Sequence, residues 1–226
     1  MKGRIFVVEI TFFNYAMNIL VAFPTDIEAK DFIPCESAHT IDVLISGVAI
    51  HNTIYNLTQY CCTYKPDIVL YAGIAGSFSN SYVYTDIVCV IEDCFADTGV
   101  VENATFLNLF DLGLESPHTF PFTDGYIRVS STFCPSHIPQ VRGITVNEIT
   151  SSKTRKTMLQ QKYAPAIESM EGAAAHFVCA HQNIPCIHLR SISNIVGDRN
   201  KNNWQIPQAL QSLHAEINAT IKSLCI

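Results

Sequence analysis

Four places in the chain carry residues that could do chemistry together. Glu28 falls in the first turn of an expected helix, just beyond the carboxyl end of an apolar strand. Gly73-Ile74-Ala75-Gly76 follows a second apolar run. Met170-Glu171 stands where a short extended run turns into a helix, and Asn194 ends the buried-looking strand Cys186 to Ser193. A carboxylate accepts protons from sugar hydroxyls or from water, and a primary amide donates to a heterocycle. Two glycines three apart allow a tight turn and close backbone approach. Glu171 and Asn194 read as a grip on a nucleoside, one at the sugar and one at the base, with the rest of the chain left to supply a third wall and a base for water. Each residue also has a plainer use. Glu28 and Glu171 can complement a helix dipole, Gly73 and Gly76 can punctuate a turn, Asn194 can serve a turn, Met170 can fill core, and Asp198 and Arg199 can belong to a loop.

The elements that must position them alternate. Apolar runs at Asn18 to Phe23, Ile41 to Ser46, Ile68 to Ala72, Asp86 to Glu92, Tyr126 to Ser130, Gly143 to Val146, Ala166 to Met170 and Cys186 to Ser193 read as strands. Helical segments are expected after Pro24, with Thr25 or Asp26 as cap, and over Ile50 to Tyr64, Ser152 to Lys162, Glu171 to His181 and Ile206 to Leu224. The stretch from Asp97 to Phe122 reads as loop-rich, with aromatics and prolines. This order predicts an α/β fold of three layers, a central mixed, twisted sheet with helices on both faces. The four places then converge on the carboxyl ends of strands, where open α/β sheets bind ligands.

The 226 residues suffice for one sizeable core. A net charge of -6 gives no basic footprint for nucleic acid, and no apolar run reaches the roughly 18–20 residues of a membrane span. Nine scattered cysteines show no C-x-x-C pair. Most, Cys89 and Cys179 among them, sit in apolar runs and read as small hydrophobes in a reducing cytoplasm. The eight histidines lack ligand spacing, so no metal is expected. Lys2 and Arg4 precede an apolar run interrupted by Glu9 and Asn14, and Met17 opens the first core-like strand. Residues 1–16 are therefore expected to be an N-terminal extension and residues 17–226 a single domain.

The order of strand, GIAG and strand, then S-M-E-G-A-A at 169–174, then I-P-C-I-H-L-R-S-I-S-N at 184–194, resembles the nucleoside phosphorylase/nucleosidase superfamily. Within it the chain is most similar to the futalosine hydrolases of menaquinone biosynthesis. Features pointing there are Ala72 to Phe78, Ala96-Asp97-Thr98-Gly99, Thr145-Val146-Asn147, and Asn194 followed by Arg199-Asn200 and Trp204. The resemblance implies that Glu28 activates water and Glu171 holds the ribose hydroxyls with Met170 against the sugar. It implies that Gly73, Ile74 and Ala75 line the ribosyl and base side. The related methylthioadenosine enzymes place an aspartate where this chain has Asn194. An amide suits the acceptors N7 and O6 of a 6-oxopurine, which points to hydrolysis of futalosine to hypoxanthine and dehypoxanthine futalosine.

The resemblance also implies a homodimer, a small-molecule nucleoside as partner, and no metal or organic cofactor. The arm at C5′ of futalosine ends in a benzoate; Arg128, Arg142 and Arg155 are candidate partners for it, and Glu115 to Phe122 a candidate cover, from this chain or a neighbouring subunit. The base-stacking residue is left open near Val146 to Ile149. Three alternatives stand beside this reading. They are a methylthioadenosine/S-adenosylhomocysteine or aminodeoxyfutalosine nucleosidase, a purine nucleoside phosphorylase, and a non-catalytic nucleoside-binding domain.

Overall fold

Strand β1 (Asn18–Phe23) is apolar at nearly every position because helices cover both of its faces. In the computed structural model, which describes residues 16–79, 81–103 and 105–224, it lies parallel between β2 (Thr40–Ile45) and β3 (Ile68–Ser77). The expected N-terminal extension, up to residue 15, lies outside the described residues. Alternate side chains of β1 and β3 feed separate cores. Ile19, Val21, Phe23, Ile68 and Leu70 join Leu213, Ile217 and Ile221 of α5 (Ile206–Ser223). Leu20, Ala22, Val69 and Tyr71 join Leu57 and Cys61 of α2 (Ala49–Tyr64) and Ala175, Val178 and Cys179 of α4 (Gly172–Gln182). Burial of an aliphatic side chain contributes about 1.5–3 kcal/mol, so both faces are strongly held.

The sheet is mixed, as expected, and it also closes on itself. The strands β4 (Ile87–Asp93), β9 (Gln140–Thr145), β10 (Ile167–Ser169) and β11 (Cys186–Ile195) join β3 in a ring. β11 runs parallel to β3 and antiparallel to β4, β4 runs parallel to β9, β9 parallel to β10, and β10 antiparallel to β3. One apolar cluster takes residues from all five: Ala75, Val88, Val90, Val141, Ile167 and Ile192. The ring therefore has a filled interior.

Two expectations change. The segment Gly73–Gly76 is no turn: it continues β3 and pairs with Arg190, Ser191, Ile192 and, past a bulge, Asn194 of β11. Four side chains small or apolar enough to follow a partner strand made it read as a strand end. Within the loop-rich stretch after Asp97, β5 (Gly99–Glu102) and β6 (Thr105–Asn108) form a separate hairpin. Short strands β7 (Phe122–Thr123) and β8 (Tyr126–Arg128) extend the main sheet beyond β4. The one-turn helix α1 (Asp26–Ala29) and α3 (Lys153–Tyr163) complete the fold. Cys89, expected as a lone hydrophobe, is disulfide-bonded to Cys134 across 45 residues. Apolar surroundings alone cannot reveal such a pairing, since both states of cysteine favour burial. No helix among the described residues is long and apolar enough to cross a membrane.

Candidate active site

Glu28 is placed by a local signal. Thr25 caps α1, its hydroxyl oxygen accepting from the Glu28 N–H at 3.2 Å and its O–H donating to Glu28 Oε2 at 2.6 Å. This pair of bonds holds the carboxylate against the cap hydroxyl. Glu28 Oε1 accepts from the Ile74 N–H at 2.9 Å, which ties it to β3. From the other side, His214 of α5 meets the Glu28 carbonyl at 2.7 Å. The side chain is buried at the edge of a cavity of about 290 Å³.

Glu171 caps α4 with its backbone, but its carboxylate reaches away from the helix. Oε1 accepts from the Ala49 N–H at 3.1 Å. Ala49 adopts a left-handed φ of 71°, a conformation costly for a residue with a Cβ, and this strain turns its N–H toward Glu171. Oε2 lies 3.8 Å from Nη2 of Arg190. Burial pushes the Glu171 carboxyl above its ordinary value, against the pull of Arg190 and the backbone donors. A helix N-terminus alone would hold it ionised; here desolvation outweighs that effect.

Arg190, which sequence reasoning did not single out, is the largest fully buried side chain among the described residues, at 0 % exposure. It sits opposite Gly73 in the ladder. A Cβ on Gly73 would stand 2.3 Å from Arg190 Nη1 and 2.8 Å from Glu28 Oε1. Glycine is needed there so that an arginine and a glutamate can crowd one strand position. Arg190 Nη1 donates to the Ile74 carbonyl at 3.3 Å, while Nη2 has no hydrogen-bond partner. Behind it runs a relay. Arg190 Nε–H donates to His188 Nε2 at 2.7 Å, His188 meets Nε2 of His176 at 3.0 Å, and His176 meets the Ile127 carbonyl at 3.1 Å. Because an arginine Nε always donates, every tautomer in the chain is determined: both histidines are neutral, with the proton on Nδ1. Burial lowers His176 to about 4 and His188 well below its ordinary value. The signal for this relay in the sequence is a histidine and an arginine two apart in a buried strand.

Asn194 stands at a bulge in β11, where the register against β3 shifts. Its Oδ1 accepts from the Ser193 hydroxyl at 2.9 Å, and its Nδ2 donates to the Ile195 carbonyl at 3.3 Å. One amide N–H is left to spend. That halves the two-donor clamp expected from the residue type alone. Gly76 lies beside it, and a Cβ there would come within 3.1 Å of Nδ2.

The structure thus brings Glu28, Ile74, Ala75, Met170, Glu171 and Asn194 to one cavity, while Gly73 stands behind it against Arg190 and Glu28. Glu168 also lines the cavity. Its carboxylate is raised by burial and bonded to the Thr150 N–H at 3.0 Å and to the Thr150 hydroxyl. Of the segment left open for stacking, Ile149 lines the cavity and Val146 is buried. Other candidates fall elsewhere. Arg128 and Arg142 both pair with Glu92 at 2.8 Å, and Arg155 pairs with Asp97 at 3.2 Å. None of the three lines the cavity, and Arg199 does. Glu115 and Phe122 line a different cavity, with Phe95 and Phe110, so within one chain they do not cover the site. Among the described residues no group of acidic, histidine or cysteine side chains could hold a metal ion.

A family model described as the Phosphorylase superfamily matches residues 31–222. A futalosine hydrolase of Streptomyces coelicolor is 29 % identical over 148 residues, covering 65 % of this chain and 62 % of that one. An aminodeoxyfutalosine nucleosidase of Helicobacter pylori is 28 % identical over 152 residues, covering 64 % and 63 %. Both alignments span just under two thirds of the relative's length. A crystal structure of 5′-methylthioadenosine/S-adenosylhomocysteine nucleosidase from Helicobacter pylori, with butyl-thio-DADMe-Immucillin-A, superposes with a TM-score of 0.76 at 17 % identity. The match covers 92 % of this chain and 99 % of that one.

Proposed function

Since the chain belongs to the Phosphorylase superfamily, we propose that it is an N-glycosyl hydrolase that cleaves futalosine to hypoxanthine and dehypoxanthine futalosine, in menaquinone biosynthesis. The observation that carries this reading is the convergence of two buried carboxylates, Glu28 and Glu171, with the Asn194 amide on one cavity. Glu171, anchored by Ala49 and Arg190, accepts from the ribose 2′- and 3′-hydroxyls. Glu28, anchored by Thr25 and Ile74, takes a proton from water as the water oxygen bonds to C1′. The C1′–N9 bond breaks and its electron pair goes to the purine. The free N–H of Asn194 stabilises the departing hypoxanthine, an anion that leaves more readily than that of adenine. Met170 and Ile149 provide apolar walls. The residues present call for no metal or organic cofactor in these steps.

Water is favoured over phosphate as the nucleophile because Glu28, Glu168 and Glu171 all line the cavity, and a phosphate would meet three carboxylates. An adenine nucleoside is the second reading, favoured by the similarity to an aminodeoxyfutalosine nucleosidase. One assay separates them. The protein is incubated with futalosine, aminodeoxyfutalosine, methylthioadenosine and inosine, with and without phosphate, and free base is followed by chromatography. Release without phosphate, fastest from futalosine, is expected. Phosphate-dependent release overturns hydrolysis, and preference for the 6-amino substrates overturns the role given to Asn194.

We also take the working unit to be a homodimer in the cytoplasm. The exposed apolar side chains Tyr55, Val101, Leu114 and Phe120 support an interface, and light scattering on the purified protein tests it. The Cys89–Cys134 bridge counts against a reducing compartment. Denatured protein prepared under alkylating conditions should show seven free thiols with the bridge in place; nine would mean a reduced pair and favour the cytoplasm.

A further inference from the structure

The loop between β11 and α5 carries an arginine that the mechanism does not use. Its neighbours are fixed. Trp204 Nε1–H donates to the Asp198 carbonyl at 3.0 Å, and the Gln205 N–H donates to the Ser193 carbonyl at 2.9 Å. The Asp198 carboxylate accepts from the Asn200 N–H at 2.9 Å and from Asn203 Nδ2 at 2.8 Å, so it is spent within the loop and does not pair with Arg199. The Arg199 guanidinium instead stacks 5.1 Å over the Trp204 ring. Both side chains line the cavity that holds Glu28, Glu171 and Asn194.

Charge makes this placement informative. The other ionisable residues lining the cavity are the glutamates 28, 168 and 171, so Arg199 is its one cationic lining residue among the described residues. Arginines 128, 142 and 155 are spent on carboxylates elsewhere, and Arg190 is sealed behind the site. Stacking on an indole orients the planar fork while leaving its edge N–H groups free, and such a fork takes a carboxylate in bidentate fashion. Beside it, Ile27, Val48 and Ile206 give the cavity rim an apolar surface.

We propose that Arg199, held on Trp204, forms a subsite for a carboxylate carried on an apolar or aromatic arm of the nucleoside. The inference rests on the reading of the cavity as a nucleoside site and adds what selects among nucleosides. A neutral arm gains only the apolar rim. An anionic arm is repelled by three glutamates everywhere except at Arg199, so this one residue sets the preference.

Trp204 is the only tryptophan of the chain, so its fluorescence reports the subsite directly. Futalosine and its methyl ester are titrated into wild type and into Arg199→Gln, under turnover-free conditions in Glu28→Gln backgrounds, and their hydrolysis is compared in active protein. The acid is expected to quench saturably at concentrations about tenfold or more below the ester. Arg199→Gln should bring the acid-to-ester ratio of kcat/KM close to one, and Arg199→Lys should restore part of it. Equal response to acid and ester in wild type, or a ratio unchanged by Arg199→Gln, overturns the subsite. If no nucleoside is hydrolysed, the proposed function fails while the titration still judges the subsite.

Discussion

Removing the imidazole of His188 by His188→Leu tests whether the relay behind Arg190 is built as described. The substitution puts an apolar side chain of similar size in a fully buried strand position, so little packing volume is lost. It removes the acceptor for Arg190 Nε–H, 2.7 Å away, and the donor to His176 Nε2, 3.0 Å away. Each buried group left without a partner costs about 1–3 kcal/mol, which gives a loss of roughly 2–6 kcal/mol. Against a total stability of about 5–15 kcal/mol that is a large change. Urea denaturation reads it as a lower midpoint at unchanged slope. His188→Gln keeps an acceptor oxygen for Arg190 and an N–H donor for His176, so it should recover half of the loss or more. Turnover should fall in His188→Leu as well, because Arg190 is no longer held 3.8 Å from Glu171. A loss below about 1 kcal/mol, or identical behaviour of the two variants, would refute the account of determined tautomers.

Further outcomes are expected. The neutral histidines make stability fall as pH drops from about 6.5 toward 4, because the unfolded chain binds protons there that His176 and His188 refuse. Asp93 opposes them: burial raises its carboxyl to about 7, so its contribution is present at low pH and lost as pH rises from about 4 through 7. Asp93→Asn should therefore steepen the climb in urea midpoint between pH 4 and 6.5, and an unchanged slope would remove Asp93 from this role. Glu28→Gln should bind nucleoside in calorimetry yet lose at least about 100-fold in kcat; full turnover would show that another group activates water. Gly73→Ala should lower kcat about tenfold or more, since its Cβ would meet both Arg190 and Glu28; wild-type kinetics would mean that both side chains yield at no cost. Asn194→Asp should shift kcat/KM toward 6-amino purine nucleosides by about tenfold or more, and an unmoved ratio would mean that other groups read the base.

Much of the local structure could be read from the chain. The strand Asn18–Phe23 has the bounds its apolar run suggested, and the helices at 49–64, 153–163, 172–182 and 206–223 lie within two residues of expectation. Of the two cap candidates, Thr25 and Asp26, Thr25 caps α1. Glu28, Glu171 and Asn194 were legible for a related reason. A charged or amide side chain at the end of an apolar run is costly to bury, so a strand that keeps one advertises a use for it. Gly73 and Gly76 were noticed but misread, because local pattern cannot tell a glycine that turns the chain from one that admits a neighbouring side chain.

What the amino-acid order determines by itself is periodic and local: which segments are strand or helix, where a cap falls, and which polar residues sit among apolar ones. The tertiary structure alone decides how those residues meet. The pairing of β11 with β3 puts Arg190 opposite Gly73 and closes five strands into a ring. The same pairing leaves His188 against His176 of α4, twelve residues away in the chain. The turn into α5 lays Arg199 on Trp204 at the cavity wall. These contacts depend on strand register and on which faces pack together, and a shift of one residue would reverse every side chain involved. Residue type could suggest a carboxylate for water and another for a sugar. Only the register could put a buried arginine behind both.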